Sequence, residues 1–522
     1  MKLKSTKLLN TISIIVLLHL LSRILIYFLY LSERDIFFSN EFNEALSNKN
    51  FFSYFLFHHS TPIGNILLSK AALIINGKNN LYFFYFFINS IYSLTVLLVL
   101  TKIYKLVFKE YSNFLYFVLL LTSISFMSYD SWRVNHYDHS LVFLFSILSL
   151  FLSKIFLSNK KILFNYKYIS LMTLIILFSN LFIIIFLTFV FFLIVLRKKY
   201  NINFKSFVYS SLIIIVFFFS TLVKNKISID EYTPTSIKGW NFIQRPLYTL
   251  GYDSYLDLYL EKLNLSKINK ICVNEIKKNK SKITTNNDDL FLSLVLHKCF
   301  FDEEKQIYNY VLLKKNLKHN KIFDPKLNRA ITLDIKDLKN NKWMFSGGHE
   351  DINLRTTVFF HKESLKLYLS AFIHYPYKML IGSISTKDNQ GIIFTFLNMF
   401  RWGGQLPYYY EPQHKNFNND FIKTLQILFS TLILFGLFLS ILRSYYLLVS
   451  FFSKKEIKNF DILICLLLFL CIGFNLTTSF ITCCENQRNT VMIFPLLITV
   501  STLSISAFIK NAKVKKKLFR DI

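Results

Sequence analysis

Cysteine is scarce in this chain of 522 residues, and no two of its 6 cysteines form a CxxC pair. Cys465 and Cys471 fall within an apolar run, where a small apolar filler is the expected role. Cys272 and Cys299 share one polar segment, and a disulfide between them requires that this segment face an oxidising space. The adjacent cysteines at 483–484 are expected to pack without bonding.

Acidic residues are also few, because 31 Asp and Glu stand against 61 Lys and Arg, for a formal net charge of +30. Much of the positive charge lies in short clusters beside apolar runs, a pattern typical of the cytoplasmic loops of membrane proteins. The chain lacks a polybasic tail with interleaved aromatic residues, so a nucleic acid is not an expected partner.

Two further absences narrow the class of protein. The sequence shows no internal repeat and no pair of interrupted helices, which argues against a transporter built from repeats. The N-terminal MKLKSTK is followed by an apolar run without a small-residue cleavage site. That run is also too long for a signal peptide, so we expect a retained first helix.

Hydrophobic residues make up 53% of the chain. They recur in runs of about 20, enough to span roughly 30 Å of hydrocarbon, so the sequence predicts a polytopic α-helical membrane protein. About ten spans are expected, with both termini in the cytoplasm. They cover about residues 8–31, 81–101, 113–128, 140–157, a helical hairpin within 168–196, 206–223, 421–447, 460–480 and 490–509. The apolar stretch 63–77 is too short to cross and is expected to lie in the interface or to re-enter.

Three parts follow from this pattern. Residues 1–223 form an N-terminal transmembrane module with polar outer loops, and residues 421–522 form the last helices and a basic cytoplasmic tail. Residues 224–420 between these late spans are polar and are expected to form a large extracytoplasmic α/β or irregular segment. This segment ends in amphipathic juxtamembrane helices.

Four polar clusters fall on the predicted outer side, at residues 33–45, 58–62, 128–139 and 483–489. Charged groups at span ends beside a low-dielectric surface are costly unless they are paired or functional. Each cluster alone is a weak signal, since loops are polar anyway. Their convergence on one face predicts a functional site there.

The first cluster holds four carboxylates within thirteen residues. For Glu33 and Glu44, a solvated loop position is the favoured interpretation. Glu41 begins an apparently helical stretch, where an acid interacts favourably with the helix dipole. Glu41, or Asp35 as a second candidate, would equally serve as a general base if partial desolvation raised its pKa.

The next clusters bring histidines and arginines. His136 and Asp138, with His58 or His59, would hold a divalent metal in one interpretation, while interfacial hydrogen bonding is the alternative. Three arginines lie at or just below predicted outer boundaries, where a guanidinium binds phosphate bidentately or snorkels to ordinary lipid headgroups. These are Arg23, Arg133 and Arg488.

The stretch NEFNEALSNKNFF…HHSTPIGNILLSKAALIINGKNN resembles the first outer loop of GT-C superfamily glycosyltransferases, most closely the protein O-mannosyltransferase and aminoarabinose transferase type. Asn40-Glu41 occupies the place of the family's acidic pair, Thr61-Pro62 that of its proline element and Gly77 that of its glycine. The first position of the pair is Asn40 where the family usually has Asp.

Two later stretches extend the resemblance. RVNHYDHSLVFLFSILSLFL is similar to the family's second outer loop and maps Arg133 and Asp138. ENQRNTVMIFPLLITV is similar to an element that opens a late span and maps Glu485 and Arg488, and AFIHYPYKMLIGSIS is similar to a juxtamembrane helix with a central proline, here Pro376.

The resemblance implies a membrane glycosyltransferase that moves a sugar, with inversion, from a polyprenyl-phosphate-linked donor to an extracytoplasmic glycan, lipid or protein. It places the protein in a bacterial inner membrane with its catalytic face outside the cytoplasm. The resemblance implies no particular cofactor, and a divalent metal at the histidines stays open. The implied roles are catalysis for Glu41, Asp35 and Asp138, donor-phosphate binding for Arg133, Arg488 and Arg23, and substrate binding for His58, His59, His136 and Glu485.

Two rival functions remain. A lipid-linked polysaccharide polymerase or ligase would use arginines of large outer loops, such as Arg245 and Arg355. A non-catalytic lipid-glycan transporter or flippase would carry charged or broken helices at mid-membrane, whereas the predicted charges gather at one interface.

Overall fold

The computed structural model describes most of the apolar helices of the chain. The described residues are 13–24, 63–76, 81–129, 138–157, 365–384, 420–453, 458–481 and 492–518, with isolated positions between 171 and 258. These residues are helical apart from short turns, and no strand occurs among them. Four helices are long and apolar enough to cross a membrane, namely Phe83–Phe108, Ser140–Leu157, Thr431–Phe452 and Phe494–Ala512. The chain is a helical membrane protein.

Nine helices of the described chain form the bundle or pack beside it. In chain order they are α1 (Ser13–Ile24), α2 (Ile63–Asn76), α3 (Leu81–Phe108), α4 (Asn113–Tyr129), α5 (Asp138–Leu157), α6 (Pro376–Ile384), α7 (Asp420–Phe452), α8 (Asn459–Ile481) and α9 (Phe494–Leu518). The six helices α3, α4, α5, α7, α8 and α9 confirm the predicted apolar segments at these places. α3 and α9 run past the predicted spans through flanking lysines, because the aliphatic stem of lysine is compatible with a helix at a membrane boundary.

The short helix α2 confirms that residues 63–77 are a separate element. Its 14 residues measure about 21 Å at 1.5 Å per residue, less than the roughly 30 Å of hydrocarbon. α2 packs on α3 with Ala72 buried, while Ile74 and Ile75 are exposed. The exposed apolar side chains are those expected of a helix in contact with lipid.

A four-residue connection makes α3 and α4 neighbours. Lys109 ends α3 with φ 61, a left-handed conformation, and its N–H donates to the Lys105 carbonyl at 2.9 Å. Ser112 caps α4, since its Oγ accepts the Leu115 N–H at 3.2 Å. The Tyr104 hydroxyl shares a hydrogen bond with Ser112 and ties the turn back to α3.

Ring contacts fix the directions of the helices. Phe108 and Phe460 lie 6.3 Å apart, so α3 ends where α8 begins. Phe429 and Phe494 lie 6.0 Å apart, so α7 and α9 begin at the same end of the bundle and run parallel. By such contacts α3, α5, α7 and α9 run one way, and α1, α4 and α8 run the other. We call the end where α3, α5 and α9 finish the lysine end, because Lys105, Lys109, Lys154 and Lys510 lie there.

The core of the bundle is α9 with α8. From Phe494 to Ala507 nearly every side chain of α9 is buried, and the helix contacts α3, α4, α5, α7 and α8. A helix whose apolar and small hydroxyl residues are buried on all sides is expected at the centre of a bundle. α7 approaches α9 closely at Gly436, where an added Cβ would lie 2.5 Å from the Ser501 Cα. In α8, Cys471 is buried and Cys465 is half-buried, in agreement with their expected packing role.

The predicted juxtamembrane helix is present over residues 365–384, with an interruption in its middle. Residues 365–374 are helical, and α6 restarts at Pro376, a residue favoured in the first turn of a helix. The Tyr375 N–H donates to Ala371 at 2.9 Å, and the Met379 N–H donates to Tyr375 at 3.0 Å, so the two pieces are continuous in direction. The helical hairpin predicted within 168–196, most of the span at 206–223, and the segment 224–364 lie outside the described residues apart from isolated positions.

Candidate functional site

The two faces of α1 differ in chemistry. The side that meets no other described helix carries exposed apolar residues at helical spacing, namely Ile14, Leu17, Leu18, Leu21 and Ile24. The opposite side is buried and holds Ile15, His19 and Arg23 at intervals of four. α1 therefore directs its polar side chains into the bundle and its apolar side chains toward lipid.

His19 bridges three helices from a position with no solvent exposure. Its Nε2 lies 2.8 Å from the Ser93 Oγ of α3, and its Nδ1 lies 2.8 Å from the Ser123 Oγ of α4. Both ring nitrogens are therefore occupied by hydroxyls. The contacts fix the rotation and the depth of α1 against its two neighbours.

The direction of these hydrogen bonds follows from the single proton of each hydroxyl. Ser93 donates to the Ser90 carbonyl at 3.0 Å, so its Oγ accepts from His19 Nε2–H. With the imidazole neutral, Nδ1 then accepts from the Ser123 hydroxyl. The chain of donors runs from Ser123 through His19 and Ser93 to a backbone carbonyl of α3.

Arg23 lies one turn further along α1 and is held from two sides. Its Nε–H donates to Ser90 Oγ at 3.1 Å, and Ser90 donates in turn to the Phe86 carbonyl at 2.8 Å. The guanidinium carbon is 5.0 Å from the centre of the Phe86 ring, a cation–π contact. Arg23 is 1% exposed, so it is a charged side chain enclosed by the protein. Asn89 is also buried here.

The cluster lies deep in the bundle. Ser90 and Ser93 are nine and twelve residues past Leu81, or about 14 and 18 Å along α3 at 1.5 Å per residue. That depth is near the middle of about 30 Å of hydrocarbon. An arginine at such a depth costs at least about 3 kcal/mol to insert without polar partners, so it points to function by default.

The first turn of α5 lies at the same depth. Asp138 is the first residue of this helix, and two residues later Ser140 is buried with its Oγ 3.4 Å from the Tyr92 hydroxyl. Tyr92 also packs on Phe143, with ring centres 5.0 Å apart. Tyr92 and Ser90 are close in sequence but lie on opposite sides of α3. Arg23 and the start of α5 therefore share a level and are separated by α3.

Of the predicted site residues, Arg23 is described with its side chain and Asp138 by its place at the start of α5. The other eight lie outside the described residues: Asp35, Glu41, His58, His59, Arg133, His136, Glu485 and Arg488. Segment 25–62 follows α1, segment 130–137 joins α4 to α5, and segment 482–491 joins α8 to α9. The helix directions place these attachment points on the side of the bundle away from the lysine end, with Ile24 and Asp138 near mid-depth along α3.

Sequence reasoning missed His19 and the three serines that contact it or Arg23. The spacing of His19 and Arg23 at i and i+4 within an apolar run is a usable signal, because it places both on one helix face. The serines gave no such signal, since Ser146 and Ser153 of α5 have the same sequence context and bond only backbone carbonyls of their own helix. In the described part of the chain, no group of three or more His, Cys, Asp or Glu could hold a metal.

The fold and this buried cluster define a helical membrane protein that encloses a histidine and an arginine within its bundle. No protein-family model matches the chain, and neither the curated proteins nor the solved structures provide a match.

Proposed function

We propose that the protein is a membrane glycosyltransferase of GT-C type. It moves a sugar from a polyprenyl-phosphate-linked donor to an extracytoplasmic glycan, lipid or protein, with inversion. The observation that carries the proposal is Arg23, a phosphate-binding residue type enclosed at the same depth as the first residue of α5. Residues 40–77, which follow α1 in the sequence and resemble a GT-C outer loop, supply the carboxylate proposed as the general base.

The proposed reaction is a single displacement. Glu41, or Asp35 in its place, takes the proton of the acceptor hydroxyl while the oxygen attacks the anomeric carbon. The bond from that carbon to the phosphate oxygen breaks, and polyprenyl phosphate leaves with the bonding electrons. Cations beside the departing phosphate lower the barrier by several kcal/mol. Arg133, Arg488 and Arg23 are assigned to that role, while Asp138 orients a neighbouring group.

The proposal also fixes an orientation. The lysine end faces the cytoplasm of a bacterium, and the opposite end faces outward from the inner membrane. About ten spans cross the membrane, and residues 224–420 form the extracytoplasmic segment that receives the acceptor. His58, His59, His136 and Glu485 contact the substrates at this outer end.

The first prediction concerns Glu41. The Glu41→Gln variant of full-length protein in lipid nanodiscs is expected to lose transfer at least about 100-fold, because the amide cannot accept the acceptor proton. Release of polyprenyl phosphate from a panel of radiolabelled polyprenyl-phosphate sugars measures this loss. Glu44→Gln is the matched control, since Glu44 is assigned to a solvated position in the same loop.

The alternatives have distinct outcomes. Activity that survives in Glu41→Gln and disappears in Asp35→Asn moves the base to Asp35, and activity that survives in both overturns the loop assignment. Loss in Arg245→Ala and Arg355→Ala, with Glu41→Gln active, favours a polysaccharide polymerase or ligase.

One observation favours a second candidate, a lipid-glycan transporter or flippase. Such a protein is expected to carry charged groups at mid-membrane, and Arg23 lies near that depth. Reconstituted vesicles distinguish the two functions. A transferase releases polyprenyl phosphate from the donor, whereas a transporter moves the intact lipid-linked sugar between leaflets and releases none.

A further inference from the structure

The structure assigns to His19 the role of a positioning residue that holds α1, and through it Arg23, at the depth required for glycosyl transfer. The inference rests on the proposed function and adds to it a residue that touches neither donor nor acceptor. Three features carry it: the bridge from α1 to two other helices, its burial, and its place one turn from Arg23.

The bridge is the polar link from α1 to both α3 and α4 at once. Apolar side chains in lipid give little preference for one rotation of a helix over another, since lipid tails are as apolar as leucine. Hydrogen bonds from both ring nitrogens of one imidazole do give that preference, because a rotation or shift of α1 would leave a buried nitrogen of His19 without its hydroxyl partner. His19 therefore sets the register of α1.

Register matters here because α1 itself carries Arg23, which is assigned to the departing phosphate. Arg23 lies one turn beyond His19 on the same buried face of the helix. A misplacement of about 1 Å at a reacting centre can cost about 100-fold in rate. Loss of the bridge is thus expected to lower kcat while the donor KM changes little.

The chemistry of the bridge allows its two halves to be tested separately. A glutamine at position 19 carries an amide N–H near the place of Nε2 and can donate to Ser93. An asparagine carries an amide oxygen near the place of Nδ1 and can accept from Ser123. His19→Leu removes both halves with similar apolar bulk. Ser146→Ala is the matched control, because Ser146 is a buried serine bonded to the Val142 carbonyl of its own helix.

The experiment uses full-length protein in nanodiscs and two readouts. The first is kcat and KM for polyprenyl phosphate release. The second is the distance between nitroxides attached to ketone-bearing amino acids at Leu18 and Phe87, both of which are exposed, on α1 and α3 respectively. We expect His19→Leu to lower kcat at least tenfold, with KM within twofold, and to shift and broaden the nitroxide distance. His19→Gln and His19→Asn should each recover part of both effects, and Ser146→Ala should change neither.

Each result decides the inference. An unchanged nitroxide distance with lowered kcat would make His19 part of the chemistry and overturn the positioning role. A shifted distance with unchanged kcat would show that the register of α1 does not control transfer. If the wild-type protein releases no lipid phosphate from any donor, the proposed function fails. Independently of activity, an unshifted nitroxide distance in His19→Leu would overturn the role of His19 in setting the register of α1.

Discussion

At the scale of single residues, one ion pair joins α7 to α8 at the lysine end. Arg443 Nη1 donates to Asp461 Oδ1 at 2.9 Å, and the side chains are 23% and 12% exposed. The guanidinium also lies over the Phe460 ring, 5.2 Å from its centre. Phe460 contacts Phe108, so the pair is coupled to the end of α3 as well. The partial burial makes it stronger than a pair on an open surface.

Replacing one partner of the Arg443–Asp461 pair should lower the free energy of unfolding. Asp461→Asn is expected to lower the free energy of unfolding by about 1 to 2 kcal/mol, because the arginine stays partly buried beside a neutral group. Arg443→Lys should lose part of the same energy, since an ammonium keeps the charge but not the planar stacking on Phe460. SDS-induced unfolding in mixed micelles measures both. The exposed Glu110→Gln is the control, and an equal effect there would refute a special role for the pair.

At the residue scale, the sequence predicted one residue of the buried cluster but not its hydrogen-bond partners. Arg23 was predicted as a candidate because a charge within an apolar run is unusual. Ser90 and Ser123 were not, because a serine in a membrane helix is satisfied equally well by its own backbone. Only the packing of α1 between α3 and α4 distinguishes the serines that bind His19 or Arg23 from those that do not.

At the scale of elements, the contact between α7 and α9 depends on small residues. Gly436 and Ser440 of α7 have small-xxx-small spacing, which allows close approach in membranes, and they meet Ser501 and Ser504 of α9. Ser501 donates to the Ile433 carbonyl at 3.0 Å, and the hydroxyls of Ser440 and Ser504 are 2.8 Å apart. Close backbones and interhelical hydrogen bonds together stabilise this parallel pair.

One methyl group added at Gly436 should push α7 and α9 apart. Gly436→Ala places a Cβ 2.5 Å from the Ser501 Cα and 2.8 Å from its carbonyl oxygen, so backbone must move. We expect a loss of about 1 to 3 kcal/mol in unfolding free energy. Gly473→Ala in α8 is the matched control, since no atom lies within 4 Å of its added Cβ. The control should be neutral or stabilising by up to about 1 kcal/mol.

The existence of the elements was easier to predict than their partners. Long apolar runs predict helices such as α3 and α5 because backbone groups in lipid must bond within the segment. The interruption at Tyr375, which was not predicted, falls directly before Pro376, a residue that cannot donate a backbone hydrogen bond. The parallel pairing of α7 with α9 was not predicted, because the sequence shows that Gly436 is small but not which helix it faces.

At the scale of the whole molecule, the helix directions allow a test of which side of the membrane the lysine end faces. α9 finishes at this end, beyond the exposed Lys510. A green fluorescent protein fused after residue 522 should fluoresce in bacterial cells, and alkaline phosphatase at the same position should be inactive. Lysines are retained on the cytoplasmic side, which is the reason for this expectation. The opposite pattern would put the acidic segment 33–45 in the cytoplasm and contradict an outer catalytic face.

The architecture as a whole was predicted only in outline. Hydropathy predicts a helical membrane protein, and the described helices confirm it. It does not indicate that α9 is central and α1 peripheral, because both are apolar runs in the sequence. That difference comes from packing, which buries α9 on all sides and leaves one face of α1 exposed. The total of about ten spans remains a prediction.

The central position of α9 has a consequence for biogenesis. Among the described helices it is the last to leave the ribosome, yet five of the others pack against it. Those five helices are inserted in the membrane before α9, their common partner, has been synthesised to residue 518. A stop codon before residue 494 would therefore leave a chain that inserts normally and never assembles, and the cell's membrane proteases would be expected to remove it.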